Sequence, residues 1–156
     1  MNPSRRTLLR ATVAGGVAAV ASAAGLLSPR TVLAAGWPKP AFEANSVEAV
    51  LDALGGTEPS HSRDIRVQAP DIAENGAVVS VTVETALANV ESISVMARDN
   101  TSPLAASYVM ASGTDGFISS RIKMRKTSDV IAVVKANGKL YSAKKAVKVT
   151  LGGCGG

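Results

Sequence analysis

The sequence of 156 residues has one cysteine, one histidine and only 3% aromatic residues. A Ser-His-Asp or Cys-His catalytic arrangement would have to use His61, which lies in a polar stretch typical of an exposed loop. The cysteine and the histidine do not have metal-ligand spacing, and no glycine-rich loop opens a helix that could hold a phosphate. The sequence therefore does not predict an enzyme, and it predicts no metal or cofactor of its own.

Net charge is the second property that excludes a function. The formal charge is +5, but Arg5, Arg6, Arg10 and Arg30 precede the first acidic residue, and the remainder holds 13 basic and 12 acidic residues. A nearly neutral chain with so few aromatic side chains lacks the basic, base-stacking surface that nucleic-acid binding needs. We therefore expect no nucleic-acid partner.

The N-terminal basic residues instead form part of an export signal. Arg5 and Arg6 precede an apolar stretch over residues 11–27, and the small residues Ala34 and Ala35 follow. This layout is typical of a twin-arginine signal peptide, so we expect residues 1–34 to be cleaved and the protein to reach the periplasm. The alternative is a permanent anchor, because about 17 apolar residues is the lower limit for a membrane-spanning helix.

The rest of the sequence changes from helical to strand periodicity. Apolar residues at helical spacing predict one helix over residues 42–54, capped by Asn45 or Ser46. Strand patterns follow, and Asn137-Gly138 between two of them indicates a tight hairpin. We predict an all-β fold: an immunoglobulin-like β-sandwich over residues 36–151, with a short N-terminal helix and a flexible C-terminal arm over residues 152–156. The predicted strands begin at Ile65 and include residues 79–84, 90–97, 107–111, 117–124, 130–135 and 140–151.

Two groups of side chains invite a functional interpretation. The first contains Met96, Met110 and Met124, which with Cys154 would offer soft ligands for Cu(I), although filling gaps in the core is the usual role of methionine. The second is a basic cluster, for which a solvated turn is favoured over an anion-binding or docking patch. Its members are Arg121, Lys123, Arg125 and Lys126.

The strongest functional candidate is Cys154, which is flanked by Gly152, Gly153, Gly155 and Gly156. Glycine confers flexibility and adds no bulk, and three extended residues carry the thiol about 10 Å beyond Leu151. No cation lies near Cys154 in the sequence to lower the pKa of its thiol, so we expect the pocket of a partner to activate it. This pattern favours a covalent carrier. A disulfide to another chain, giving a structural or interaction domain, remains the alternative.

Three stretches of the sequence resemble the SoxY family of the bacterial Sox sulfur-oxidising system. They are residues 147–156 with the Gly-Gly-Cys-Gly-Gly ending, residues 69–79 with Pro-Asp-Ile-Ala-Glu-Asn-Gly, and residues 121–133. The resemblance implies a periplasmic, immunoglobulin-like subunit that pairs with a SoxZ subunit and carries thiosulfate on Cys154 as a cysteine S-thiosulfonate.

The resemblance also implies which proteins act on the carrier. A c-type cytochrome pair would load Cys154 oxidatively, a thiosulfohydrolase would release sulfate, and a sulfane dehydrogenase would oxidise the remaining sulfur. The haem, manganese and molybdenum of such a system belong to these partners, so the carrier itself needs no cofactor.

Overall fold

A computed structural model describes residues 38–56 and 58–151 of the chain. The predicted signal peptide, residues 1–34, and the predicted arm, residues 152–156, lie outside the described residues. The predicted domain, residues 36–151, is described almost in full.

The N-terminal part contains two short helices where the sequence predicts one. Helix α1 spans Lys39–Glu43 and α2 spans Val47–Ala53. The predicted single helix was wrong because Ala44 is extended, with φ −65° and ψ 144°, and interrupts it. The predicted cap is confirmed at Ser46, whose Oγ accepts a hydrogen bond of 3.1 Å from the amide of Ala49.

Nine strands follow the helices in the described part of the chain. Strands β1 and β3 have only two residues each, whereas β9 has eleven. The strands are β1 Ser60–His61, β2 Ile65–Gln68, β3 Ile72–Ala73, β4 Val79–Thr85, β5 Val90–Ala97, β6 Leu104–Val109, β7 Phe117–Ile122, β8 Ser128–Ala136 and β9 Lys139–Val149.

These strands form two sheets, which confirms the predicted all-β, immunoglobulin-like sandwich. The larger sheet has the order β1-β9-β8-β5-β6, and the smaller has the order β2-β4-β7. Neighbouring strands are antiparallel, except that β1 and β3 pair in parallel with successive parts of β9. Strand β9 therefore has β8 on one side and two short strands on the other.

The predicted hairpin at Asn137-Gly138 is confirmed as the β8–β9 connection. Ala136 pairs with Lys139, so the loop has two residues. Asn137 has φ +51° and Gly138 has φ +72°, and a type I′ turn requires positive φ at both positions. This turn fixes the pairing register between β8 and β9, and therefore where the C-terminal end of β9 lies.

The main core lies between the two sheets and follows the predicted alternation. Val79, Val81 and Val83 of β4 are buried and face Ile93 and Val95 of β5 in one cluster. Ser80, Thr82 and Glu84, which alternate with them, are not buried.

A second core covers the other face of the larger sheet. Met96 of β5 and Ile131 and Val133 of β8 are buried there against Ala41 and Val50 of the two helices. Strands β5 and β8 are therefore buried on both faces, and β5 does not show the half-exposed pattern that its alternating sequence suggests.

The methionines support the core-packing interpretation of their role. Met96 belongs to the helix-covered core, whereas Met124 belongs to the core between the sheets and Met110 packs against the edge of that core. Because Met96 and Met124 lie on opposite faces of the larger sheet, they cannot bind the same metal ion.

Candidate functional site: the root of the Cys154 segment

The last described residues lie at the end of β9, three positions before Cys154. Strand β9 ends at Val149, and Thr150 and Leu151 continue from it. We call residues 149–151 the arm root. Cys154 and the four glycines predicted to form the arm lie outside the described residues, so their roles stay predictions.

One side of the arm root is held by β3 and the turn after it. The Thr150 amide donates to the carbonyl of Ala73 at 3.0 Å, and the Thr150 hydroxyl donates to the carbonyl of Glu74 at 3.0 Å. The Gly76 amide then donates to the carbonyl of Leu151 at 2.8 Å. These bonds fix the backbone as far as Leu151.

The other side of the arm root is held by Thr127, just before β8. The Thr127 hydroxyl accepts from the Val149 amide at 2.9 Å and donates to the Val149 carbonyl at 3.3 Å. One side chain thus satisfies both backbone groups of the last residue of β9, at a position where the β8–β9 ladder has already ended at Ser128.

The turn that holds Leu151 is itself held in place. Asn75 Oδ1 accepts from the Ala77 amide at 2.8 Å, which is the local bond of an Asx turn. The Gly76 carbonyl accepts from the Met124 amide at 2.7 Å. Gly76 therefore connects the arm root to the segment between β7 and β8, and the stretches over residues 69–79 and 121–133 meet at the same point.

An exposed ion pair lies beside β3. Lys145 Nζ donates to Asp71 Oδ1 at 2.6 Å, and the Asp71 side chain is 86% exposed. The hydrogen bond and the positive charge of Lys145 lower the pKa of the Asp71 carboxyl below its usual value. The Asp71 carbonyl also accepts from the Lys148 amide at 2.9 Å, so Asp71 contacts β9 through its side chain and its backbone.

Three members of the basic cluster lie in an exposed turn bound to the β5–β6 connection, whereas Arg121 lies in β7. Asn100 Oδ1 accepts from the Arg125 amide at 2.8 Å, and its Nδ2 donates to the Lys123 carbonyl at 2.7 Å. Lys126 Nζ lies 3.4 Å from Asp99. These contacts agree with the interpretation as a solvated turn, and they give the segment a structural role.

His61 is exposed in β1, as expected for a surface residue. It borders a groove of about 670 Å³ between α2 and the larger sheet, whose lining includes Met96, Ile131 and Val133. Across residues 38–56 and 58–151, no three His, Cys, Asp or Glu side chains gather in a way that could hold a metal ion.

In the same described ranges, no helix has the length and the apolar character to cross a membrane.

The sequence predicts Cys154 as a functional residue, but it does not predict the residues that hold the arm root. Thr127 and Gly76 act through hydrogen bonds to chain segments that are far away in sequence, and no local pattern reveals such partners. The available signal was the resemblance of two separate stretches to one family. The structure shows what these stretches share, which is contact with the arm root or with the turn that holds it.

The fold and the arm root define a β-sandwich whose longest strand leads directly into a cysteine-bearing segment. The model of the family described as sulfur oxidation protein SoxY matches residues 50–154, two thirds of the chain and inclusive of Cys154. The protein therefore belongs to the SoxY family.

A solved structure of the same family agrees with this assignment. The sulfur carrier protein SoxY from Chlorobium limicola f thiosulfatophilum is 40% identical, with a TM-score of 0.59, over 66% of this chain and 94% of that chain. A superoxide reductase (neelaredoxin) from Ignicoccus hospitalis is 16% identical, with a TM-score of 0.49, over 56% of this chain and 80% of that chain. No curated protein gives a significant sequence match.

Proposed function

We propose that the protein is a carrier that binds thiosulfate-derived sulfur covalently on Cys154 and presents it to the enzymes of a sulfur-oxidising pathway. Membership of the SoxY family and the similarity to a sulfur carrier protein support this proposal. The observation that carries it is the arm root: hydrogen bonds hold the chain on one side up to Leu151 and on the other side up to Val149, so the last bonded residue is three positions before Cys154.

The chemistry requires little from the carrier beyond the thiol. In loading, the Cys154 sulfur forms a disulfide bond with the outer sulfur of thiosulfate, the thiol proton is lost, and two electrons pass to a c-type cytochrome partner. Water then attacks the sulfonate sulfur on a thiosulfohydrolase, the S–S bond to the sulfonate breaks, sulfate leaves and a persulfide stays on Cys154. A sulfane dehydrogenase, where present, oxidises this remaining sulfur.

The role of the other residues of the chain is to position the Cys154 thiol. A thiolate is the reactive form of cysteine, and it forms readily where cations or a helix N-terminus lower the thiol pKa. The sequence around Cys154 supplies only glycines, so activation and selectivity are assigned to the pockets that the thiol enters. The arm root keeps the starting point of the segment fixed, which favours productive entry because less orientational freedom is lost on binding.

The proposal includes location and assembly. Arg5 and Arg6 before an apolar stretch indicate export by the twin-arginine pathway and cleavage near Ala34. In the periplasm the mature chain would pair with a SoxZ-like subunit and receive the cytochrome, the thiosulfohydrolase and the sulfane dehydrogenase in turn.

The first test is intact mass spectrometry of the mature protein from cells grown on thiosulfate. A carrier shows sulfur and sulfonate adducts that a reductant removes, and Cys154→Ser shows none. Cys154→Ser should also abolish thiosulfate oxidation while the protein keeps its circular dichroism spectrum and its partner subunit. If the only modification ever found is a disulfide to another chain, the alternative structural role replaces the carrier.

A further inference from the structure

Exposed apolar side chains gather at the arm root. In the described residues five large hydrophobic side chains are exposed, and three of them are Ile72 at 57%, Val78 at 58% and Leu151 at 62%. We call these three residues the apolar collar. Exposed hydrophobic groups that gather at one place on a surface often mark an interaction site.

Backbone contacts place the apolar collar around the point where the chain leaves the sandwich. Ile72 pairs in register with Lys148, next to the arm root. Leu151 belongs to the arm root and accepts from the Gly76 amide, and Val78 is two residues beyond Gly76. Each member of the collar therefore lies within a few residues of a bond that holds the arm root.

The other two exposed hydrophobic residues lie at the opposite end of the sandwich. Val109 is the last residue of β6. Leu104, at the other end of that strand, pairs with Met96, near the end of β5 that pairs with the start of β8, next to the arm root. Phe117 begins β7, whereas Ile122 at the other end of that strand pairs with Val79, close to the Gly76 turn. Val109 is 67% exposed, so it provides a control that matches Val78 in type and exposure.

The short reach of Cys154 determines what must cover the apolar collar. Cys154 is the third residue after Leu151, and at about 3.3–3.6 Å per extended residue three residues span about 10 Å. Leu151 is fixed by its bond to Gly76, so this span cannot grow without breaking the arm root. An enzyme that encloses the Cys154 thiol must therefore bring its surface to within about 10 Å of Leu151.

We propose that the apolar collar is the docking surface on which the cargo-processing enzymes seat the rim of their active-site entrance. The occupant is an enzyme with an apolar rim around a channel that admits the loaded thiol. This inference rests on the proposed function and adds the surface through which it operates. A permanently bound subunit is disfavoured there, because it would lie across the exit of the segment that has to enter other proteins.

The test uses the mature carrier, with its partner subunit, loaded chemically at Cys154. With tetrathionate, the thiolate attacks a central sulfur, one S–S bond forms, one breaks, and thiosulfate leaves. The probe is the purified thiosulfohydrolase of the same sulfur-oxidising system, and sulfate release is measured against carrier concentration. The variants are Val78→Ser and Ile72→Ser/Val78→Ser, with Val109→Ser as the matched control.

Loss of a docking contact raises KM and leaves kcat unchanged, since the contact exists equally in the ground and transition states. We expect KM to rise about tenfold for the double variant, the effect of about 1.4 kcal/mol of lost binding. Val78→Ser should show part of this rise, and Val109→Ser should match the unaltered protein. Equal KM values for the collar variants and Val109→Ser would overturn the proposal.

Two further outcomes distinguish a failure of the docking proposal from a failure of the proposed function. If the unaltered loaded carrier releases no sulfate, both the proposed function and the docking proposal are wrong. If the collar variants lose the partner subunit on size-exclusion chromatography, the collar is a permanent subunit interface and the docking proposal is wrong. Sulfate release by the unaltered carrier together with unchanged variants refutes the docking surface alone.

Discussion

Replacing Thr127 with valine tests whether the arm root acts as one cooperative unit. The Thr127 hydroxyl makes two bonds to Val149, at 2.9 Å to its amide and at 3.3 Å to its carbonyl. Valine keeps the shape of threonine and removes the hydroxyl, so Thr127→Val deletes both bonds without opening a cavity. Thr127→Ser keeps the hydroxyl and serves as the control.

The size of the effect follows from the number of bonds and their exposure. A hydrogen bond contributes about 0.5–1.5 kcal/mol to stability, and Thr127 is exposed, so water replaces part of what is lost. Two bonds at the low end of this range amount to about 1 kcal/mol. A loss of about 1 kcal/mol corresponds to a roughly fivefold larger population of the opened arm root.

Native-state hydrogen exchange, read by NMR, measures this opening amide by amide. We expect the amides of Val149, Thr150 and Gly76 to exchange about fivefold faster in Thr127→Val, because all three are bonded in the arm root. Val133, in the middle of β8, should keep its rate. If Gly76 and Thr150 exchange at the original rate while Val149 exchanges faster, the arm root is not cooperative and the reasoning is wrong.

Two further predictions concern the ion pair and the hairpin. Because Lys145 lowers the pKa of Asp71, their pair contributes its full stabilisation above pH about 4 and loses it as the pH falls through the lowered pKa. Lys145→Met should return the Asp71 pKa to its usual range in a carboxyl NMR titration, and an unchanged pKa would exclude the pair in solution. Gly138→Ala should lower the free energy of unfolding in urea by about 1 kcal/mol, since Gly138 has φ +72°. Unchanged stability would contradict the type I′ turn.

Elements that depend on local patterns were predictable from the sequence. The alternating valines of β4 and the Asn137-Gly138 turn carry their structural signal within a few residues, and both predictions were confirmed. The two-residue strands β1 and β3 were not predicted, because they exist only through pairing with β9. The apolar spacing that predicted the helix begins at Val47 and matches α2, whereas its extension back to Phe42 was wrong because the backbone of Ala44 is extended.

The sequence predicts the chemistry of the candidate site but not the contacts that hold it. A lone cysteine among glycines stands out by composition alone, whereas Thr127 is an ordinary polar residue in a polar turn. Its importance arises from a bond to a residue 22 positions away. Such long-range hydrogen bonds leave no periodic signal, so only the folded structure identifies Thr127 and Gly76 as residues that hold the arm root.

The position of β9 has a mechanical consequence. In the proposed function, an enzyme that binds the loaded thiol and then releases it would pull on the C-terminal end of β9. The hydrogen bonds of β9 to β8, β1 and β3 lie across the strand direction, so a load along the strand falls on many of them together in shear, instead of peeling them one at a time. The pairing of β9 would therefore resist repeated pulling at the end of the strand that the proposed partners would contact.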